Sequence, residues 1–100
     1  MSERRASTRR PLDVYFNKYL DGQPHLCRSV DLSRTGMRAL RLSEPNTSLD
    51  AFPVELQLPG DPESLWIWAR AVRSDAADQG LEFVGIDAAD RQRIDRFLAA

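Results

Sequence analysis

The chain has one cysteine, Cys27, and one histidine, His25, among its 100 residues. A lone cysteine has no disulfide partner within the chain, as is usual for cytoplasmic proteins. These residues supply neither a metal cluster nor a nucleophile with its base, so we expect no enzyme activity, no metal and no cofactor. Charged residues interrupt every apolar run well before the roughly 18 residues of a membrane span, and the first residues lack a signal peptide's apolar stretch. We therefore predict one cytoplasmic domain without a membrane span.

The small net charge of −1 hides an uneven distribution. Residues 1–12 contain four arginines and one glutamate, and the rest of the chain holds 10 basic and 14 acidic side chains. A cationic arm is thus attached to a mildly acidic body, which suggests an anionic partner. A solubilising or nucleic-acid-binding tail is the alternative explanation, although the short arm and the acidic body disfavour nucleic acid.

Alternation of apolar and polar residues predicts six β-strands. The first segment, PLDVYFNKYL, alternates cleanly and is followed by the hairpin-turn signal Asp21-Gly22. The second, HLCRSVDLS, is ambiguous, because Leu26 and Val30 fall on one side and Cys27 on the other. The six segments are 11–20, 25–33, 36–42, 53–58, 65–74 and 81–86, with a loop at 43–52 and a turn at 75–80.

The C-terminal segment predicts a helix at about residues 88–99. Asp87 is a good N-cap, and Ile94, Phe97 and Leu98 fall at i, i+3 and i+4 on one apolar face.

Short connections without βαβ spacing favour an all-β fold, an antiparallel barrel or sandwich, with the terminal helix packed against it. We predict a flexible basic arm at 1–10 and the folded domain at 11–100.

Two polar motifs stand out. Arg5 and Arg9 form an RxxxR in the arm, and Asp31, Ser33 and Gly36 form a DxSxxG at the end of the second strand. Either motif alone is weak, because paired arginines and polar turns are common. Their order, the strand between them and the offset of 22 residues from Arg9 to Asp31 make the pair specific.

These motifs resemble those of the PilZ domain family. The arm ERRASTRRPL and the turn DLSRTGM are similar to the family's two binding motifs, and the strand led by Gly80 is similar to one of its last strands. The resemblance covers nearly the whole chain. It implies a six-stranded antiparallel split β-barrel with a short C-terminal α-helix, which binds the bacterial second messenger cyclic di-GMP.

The resemblance implies ligand contacts at Arg4, Arg5, Arg9, Asp31, Ser33 and Gly36. Arginine suits this ligand, because its guanidinium pairs bidentately with phosphate and can also bind or stack on guanine. Asp31 can accept both N–H groups of a guanine Watson–Crick edge, whereas adenine presents an acceptor there. Asp31 is therefore the candidate for base discrimination.

The other motif positions allow two explanations. Ser33 offers a hydroxyl to the ligand, and Gly36 supplies a positive φ or lets the ligand approach the backbone. A turn that satisfies its own backbone is the alternative for Asp31 and Ser33. An arginine at the position of Arg4 accompanies, within the family, binding of an intercalated pair of ligand molecules.

Other residues have simpler explanations. Trp66 and Trp68 share one face of a strand and are expected to pack in the core or on the barrel surface, with base stacking as the alternative. Arg10 is expected to be solvated, with attraction of phosphate as the alternative. The strand arginines are expected to be exposed charges, with an extension of the positive field beside the pocket as the alternative; they are Arg34, Arg38 and Arg41.

The resemblance implies a cyclic di-GMP receptor or adaptor whose arginine arm becomes ordered on the ligand and which signals to an unidentified protein partner. The alternative is a PilZ-like interaction module that does not need the nucleotide. Members of that kind usually lack the motif arginines, which this chain keeps.

Overall fold

The computed structural model describes residues 8–42 and 50–100. The first seven residues, with most of the predicted arm, and residues 43–49, with most of the predicted loop, lie outside the described residues. The strands are β1 (Arg9–Pro11), β2 (Tyr15–Leu20), β3 (Gln23–Ser33), β4 (Gly36–Arg41), β5 (Ala51–Leu56), β6 (Leu65–Asp75) and β7 (Asp78–Ile86), followed by the helix α1 (Ala88–Ala99).

The six longer strands close into an antiparallel barrel. They follow one another in the order β3, β2, β5, β6, β7 and β4, and β4 pairs back with β3 to complete the ring. The short strand β1 pairs with residues 31–33 of β3, beyond the end of the ladder between β3 and β2. The barrel with a terminal helix confirms the predicted fold class and decides against a sandwich.

Alternate side chains of the strands fill the barrel, as the pleat of a strand requires. Leu32, Val54 and Leu65 are fully buried there. The core also settles the ambiguity of β3: Cys27 is 1% exposed and Leu26 is 45% exposed, so the cysteine side faces inward.

One cation lies inside the barrel. Lys18 is 1% exposed, and its Nζ donates a hydrogen bond of 2.7 Å to Oε1 of Gln79 and lies 4.7 Å from the centre of the Phe52 ring. A buried charge needs such polar and aromatic partners to offset its lost hydration. Lys18 thereby links β2 to the hairpin of β6 and β7.

Two of the hairpin turns differ in how well the sequence predicts them. Asp21 and Gly22 form the predicted turn, and both have positive φ, at 53° and 79°. The turn predicted at 75–80 is wrong in length, because the ladder continues through the pair Asp75 and Asp78. Two alanines connect the strands, and Ala76 takes the positive φ of 40°.

The helix α1 is held to the barrel by apolar and ionic contacts. Asp87 caps its N-terminus by accepting from the amide of Ala89, and Ile94 is fully buried. Arg93 donates to Asp61 at 2.8 Å and to Asp90 at 2.9 Å. The hydrogen bond from Arg93 lowers the pKa of the Asp61 carboxyl below its ordinary value. The helix therefore has a fixed position against the loop that follows β5.

Candidate ligand-binding site

The short strand β1 brings the arm to the second motif. Its ladder pairs Arg9 with Ser33 and Pro11 with Asp31. The side chain of Arg9 consequently reaches Asp31, where Nε and Nη2 donate to Oδ1 at 3.1 and 2.8 Å. Among the described residues the first strand begins at Arg9, so Arg9 and Arg10 of the arm predicted at 1–10 are paired with β3. The two motifs, 22 residues apart in sequence, thus meet in space.

The pair of Arg9 and Asp31 keeps capacity for further contacts. Both side chains reach solvent, at 46% and 23% exposure. A guanidinium has five N–H donors, of which Asp31 takes two. Both bonds end on Oδ1, and within the described ranges no donor reaches Oδ2. An anion can therefore approach Arg9, and a donor can approach Asp31, without breaking the pair.

Ser33 lies inside the turn and faces away from solvent. It is 0% exposed, and its Oγ accepts from the amides of Thr35 and Gly36 at 3.3 and 3.1 Å and donates to the Gly36 carbonyl at 3.2 Å. This is the arrangement of a side chain that satisfies its own turn. In this structure Ser33 stabilises the bend that carries Asp31.

Gly36 is needed for close packing between strands. Its φ is not among the positive values, so the prediction of a positive φ is wrong. A Cβ built on Gly36 would lie 2.3 Å from the carbonyl oxygen of Leu81, on the neighbouring strand β7. The amide of Phe83 also donates to the Thr35 carbonyl, at 2.8 Å. Glycine therefore lets the end of the turn lie directly against β7.

A shallow depression of about 290 Å³ adjoins the pair. Besides Arg9 and Asp31, its lining includes Arg38 from β4, Arg73 from β6 and the backbone of Gly80. Arg38 thus lies where the alternative interpretation of this arginine placed it, whereas Arg73 was not singled out by the sequence. The barrel closure that joins β4, β7 and β6 brings these arginines together.

The charges around the depression are partly compensated. Nη2 of Arg38 donates to Asp78 at 2.6 Å, and Nη2 of Arg73 lies 3.5 Å from the same carboxylate. The Arg38 guanidinium holds the pKa of the Asp78 carboxyl below its ordinary value. Three arginines facing two carboxylates leave a net positive surface, which suits an anionic ligand.

Arg10 is anchored, and the expectation that it is solvated is wrong. Its Nη1 donates to the Phe97 carbonyl near the end of α1, and its guanidinium lies 4.3 Å from the centre of the Phe97 ring. A cation at this end of a helix also interacts favourably with the helix dipole. Arg9 and Arg10 thus point to different partners, one to the depression and one to the helix.

The helix also supports the motif turn. Nε of Arg34 donates to Asp95 at 2.9 Å, and Arg91 donates to the Arg34 carbonyl at 3.1 Å. These contacts hold the bend between β3 and β4 against α1. Arg34 was expected to be an exposed charge, and it also helps to hold the turn against the helix.

Two of the predicted ligand contacts, Arg4 and Arg5, lie outside the described residues. Over the part of the chain that is described, His, Cys, Asp and Glu form no group of three able to hold a metal. The same part contains no helix with the length and apolar character needed to cross a bilayer.

A closed antiparallel barrel that carries an arginine–carboxylate pair beside a positive depression defines a small domain of the binding type. The model of the PilZ domain family matches residues 3–100. The chain therefore belongs to the PilZ domain family, which is a family of cyclic di-GMP receptors, and the resemblance seen in the sequence is confirmed.

Two solved structures share this fold. The match to the Bacillus subtilis inhibitor of motility, MotI/DgrA, has a TM-score of 0.77 at 17% identity and covers 97% of this chain and 50% of that chain. The match to the PilZ domain of CeSA from a cellulose-synthesizing bacterium has a TM-score of 0.68 at 20% identity and covers 91% and 94%. This chain thus spans about half the length of MotI/DgrA. A search among curated proteins found no significant match.

Proposed function

We propose that this chain is a cyclic di-GMP receptor that uses Arg9 and Asp31 as the centre of its binding site. The observation that carries the proposal is the meeting of the two motifs across β1 and β3, with the hydrogen bonds of Arg9 confined to Oδ1 of Asp31. The free N–H groups of Arg9 bind a phosphodiester of the ligand, and Oδ2 of Asp31 accepts from the edge of a guanine.

The depression accommodates the rest of the nucleotide. Arg38 and Arg73 lie on its lining and supply positive charge for the second phosphodiester. Gly80 supports this arrangement, because a residue without a side chain lets a flat base approach the strand. The charge and position of the lining residues support the proposal that the depression holds the rest of the nucleotide.

The arginines that precede β1 complete the site in our proposal. Ordering about six residues of the arm costs on the order of 6–12 kcal/mol of conformational entropy. Each charge-assisted hydrogen bond returns about 1.5–3 kcal/mol, so several bonds from Arg4 and Arg5 to the ligand offset this cost. The arm is then ordered when the ligand is bound, and the new surface signals to a protein partner.

Titration calorimetry with cyclic di-GMP tests the ligand and its stoichiometry. We expect binding at micromolar concentrations or below, at least about hundredfold stronger than for cyclic di-AMP, because adenine cannot donate from its ring nitrogen to Asp31. Two ligands should bind per chain, and one per chain in Arg4→Ala. The variant Asp31→Asn should lose most of the base preference. Equal affinities for the two dinucleotides would refute the role of Asp31.

Amide hydrogen exchange tests the ordering of the arm. Residues 4–8, which precede β1, should exchange more slowly once cyclic di-GMP is added, because the ligand orders their backbone. The strand β5 serves as the internal control, since none of its residues lines the depression and its exchange should change little. Equal protection of residues 4–8 with and without ligand would contradict the proposed switch.

A further inference from the structure

A second surface feature is an aromatic patch on the outside of the barrel, made of Tyr19, Pro53, Trp66 and Trp68. The two tryptophans are 51% and 48% exposed, although indoles are among the side chains that gain most from burial. Together with Ala51 and Gly22 the patch borders a groove of about 520 Å³. Exposed apolar patches of this kind mark binding surfaces in many proteins.

The strand register places the patch residues on three neighbouring strands, β2, β5 and β6. Trp66 pairs with Glu55, and Trp68 pairs with Pro53 in the ladder of β5 and β6. On the other side of β5, the ladder to β2 ends at the pair of Lys18 and Val54, just before the proline, which has no N–H to continue it. Tyr19 follows Lys18 and leans across, so that its ring centre lies 5.4 Å from that of Trp66.

A glycine on β7 leaves the patch open on the side of that strand. Gly85 of β7 pairs with Trp68, and a Cβ at this glycine would lie 3.2 Å from the Cβ of Trp68. No side chain from this position can therefore cover the indole. Both tryptophans lie on the outside of the sheet with about half of their surface exposed.

The charge at the edge of the patch is negative. Asp21 lines the groove, and the carboxylate of Glu55 accepts a hydrogen bond of 2.9 Å from the Tyr19 hydroxyl. The arginine nearest along β6, Arg70, is paired with Glu82 at 2.5 Å. A partner that covers this patch gains from apolar groups over the rings and positive charge at the edge.

We propose that the patch is a docking site for a proline-rich segment with flanking arginines, supplied by a partner protein. Trp66 and Trp68 lie two residues apart on one face of a strand, about 6.6 Å along it, so the indoles can form walls between which proline rings insert. A polyproline II helix is already extended and loses little entropy on binding to aromatic grooves. Its arginines reach Asp21 and Glu55.

The docking site is separate from the dinucleotide site, and the proposal does not depend on the ligand proposed above. Both sites use β6, which contributes Trp66 and Trp68 to the patch and Val72 and Arg73 to the depression. The two sets of lining residues do not overlap, and the register between β6 and β7 shifts at Trp68/Ala69 and at Ala71/Arg73. The two surfaces can therefore be tested one at a time.

Intrinsic fluorescence gives a direct test, because the chain has two tryptophans and both belong to the patch. The probe is a synthetic proline-rich peptide flanked by arginines, titrated into the full chain without nucleotide. We expect saturable quenching or a spectral shift at micromolar to submillimolar peptide. Calorimetry on Trp68→Ala should show binding weaker by about tenfold or more, as for the loss of a central aromatic contact.

The matched control is Val84→Ala, since Val84 is 50% exposed on β7 and lies outside the groove lining. This variant should bind like the wild type, and Asp21→Asn should weaken the arginine-flanked peptide while leaving a glutamate-flanked one no weaker. Absence of binding, or equal binding by Trp68→Ala, would overturn the proposal. Concentration-dependent dimerisation lost in Trp68→Ala would assign the patch to a second copy of the chain and also overturn it.

Discussion

Replacing Arg9 with alanine is expected to weaken binding of cyclic di-GMP by about hundredfold or more. The guanidinium supplies at least two charge-assisted hydrogen bonds to the ligand in our proposal, and each contributes about 1.5–3 kcal/mol. Its loss also leaves Asp31 as a carboxylate without its described donor, next to an anionic ligand. Both effects act in the same direction. Titration calorimetry measures the change.

Arg28 provides a matched control for Arg9. Arg28 is 47% exposed, against 46% for Arg9, and it also forms a two-bond pair with an aspartate, Asp13. The variant Arg28→Ala removes the same side chain from the same kind of pair outside the depression. It should retain wild-type affinity. If the two variants bind equally well, or lose affinity equally, Arg9 has no specific role.

Substitution of Gly36 by alanine is expected to destabilise the barrel by about 3 kcal/mol, the upper part of the range for overpacking a closely packed site. The new Cβ would lie 2.3 Å from a carbonyl oxygen of β7, so the strands β4 and β7 must separate. For a domain of this size the loss corresponds to a melting temperature lower by roughly 12–24 °C. Thermal and urea unfolding followed by circular dichroism measure it.

Gly80→Ala is the control for this effect. Gly80 lies in the same ladder, opposite Arg38, but a Cβ there would lie 3.6 Å from the nearest side-chain atom, which is an ordinary contact. We expect its stability to change by less than about 0.5 kcal/mol. Similar melting temperatures for Gly36→Ala and the wild type would show that close strand packing does not explain the glycine of the second motif.

The meeting of Arg9 and Asp31 illustrates what the sequence could predict. The two motifs and their spacing indicated a shared site. This prediction needed the family resemblance, because hydrophobic periodicity does not show which segments meet in space. The sequence did not reveal how they meet. Three residues, Arg9–Pro11, are too few to show an alternating pattern, and a strand of this length is stabilised by the neighbouring β3.

The interpretation of Ser33 and Gly36 shows the limit of motif reasoning. A turn that binds a ligand and a turn that satisfies itself have the same composition. The backbone distance to Leu81 and the burial of the Ser33 hydroxyl depend on how β7 packs, which is a tertiary property. The position of Arg73 on the lining of the depression was missed for the same reason, since its neighbours across the depression come from β1 and β4.

The edge of β1 that faces away from β3 has a consequence for aggregation. Among the described strands β1 pairs with β3 only, so its other edge offers backbone groups to which another chain can add. That edge is three residues long, contains two arginines and ends in a proline without an N–H. The composition that we propose to serve an anionic ligand thus also protects the domain from forming intermolecular sheets.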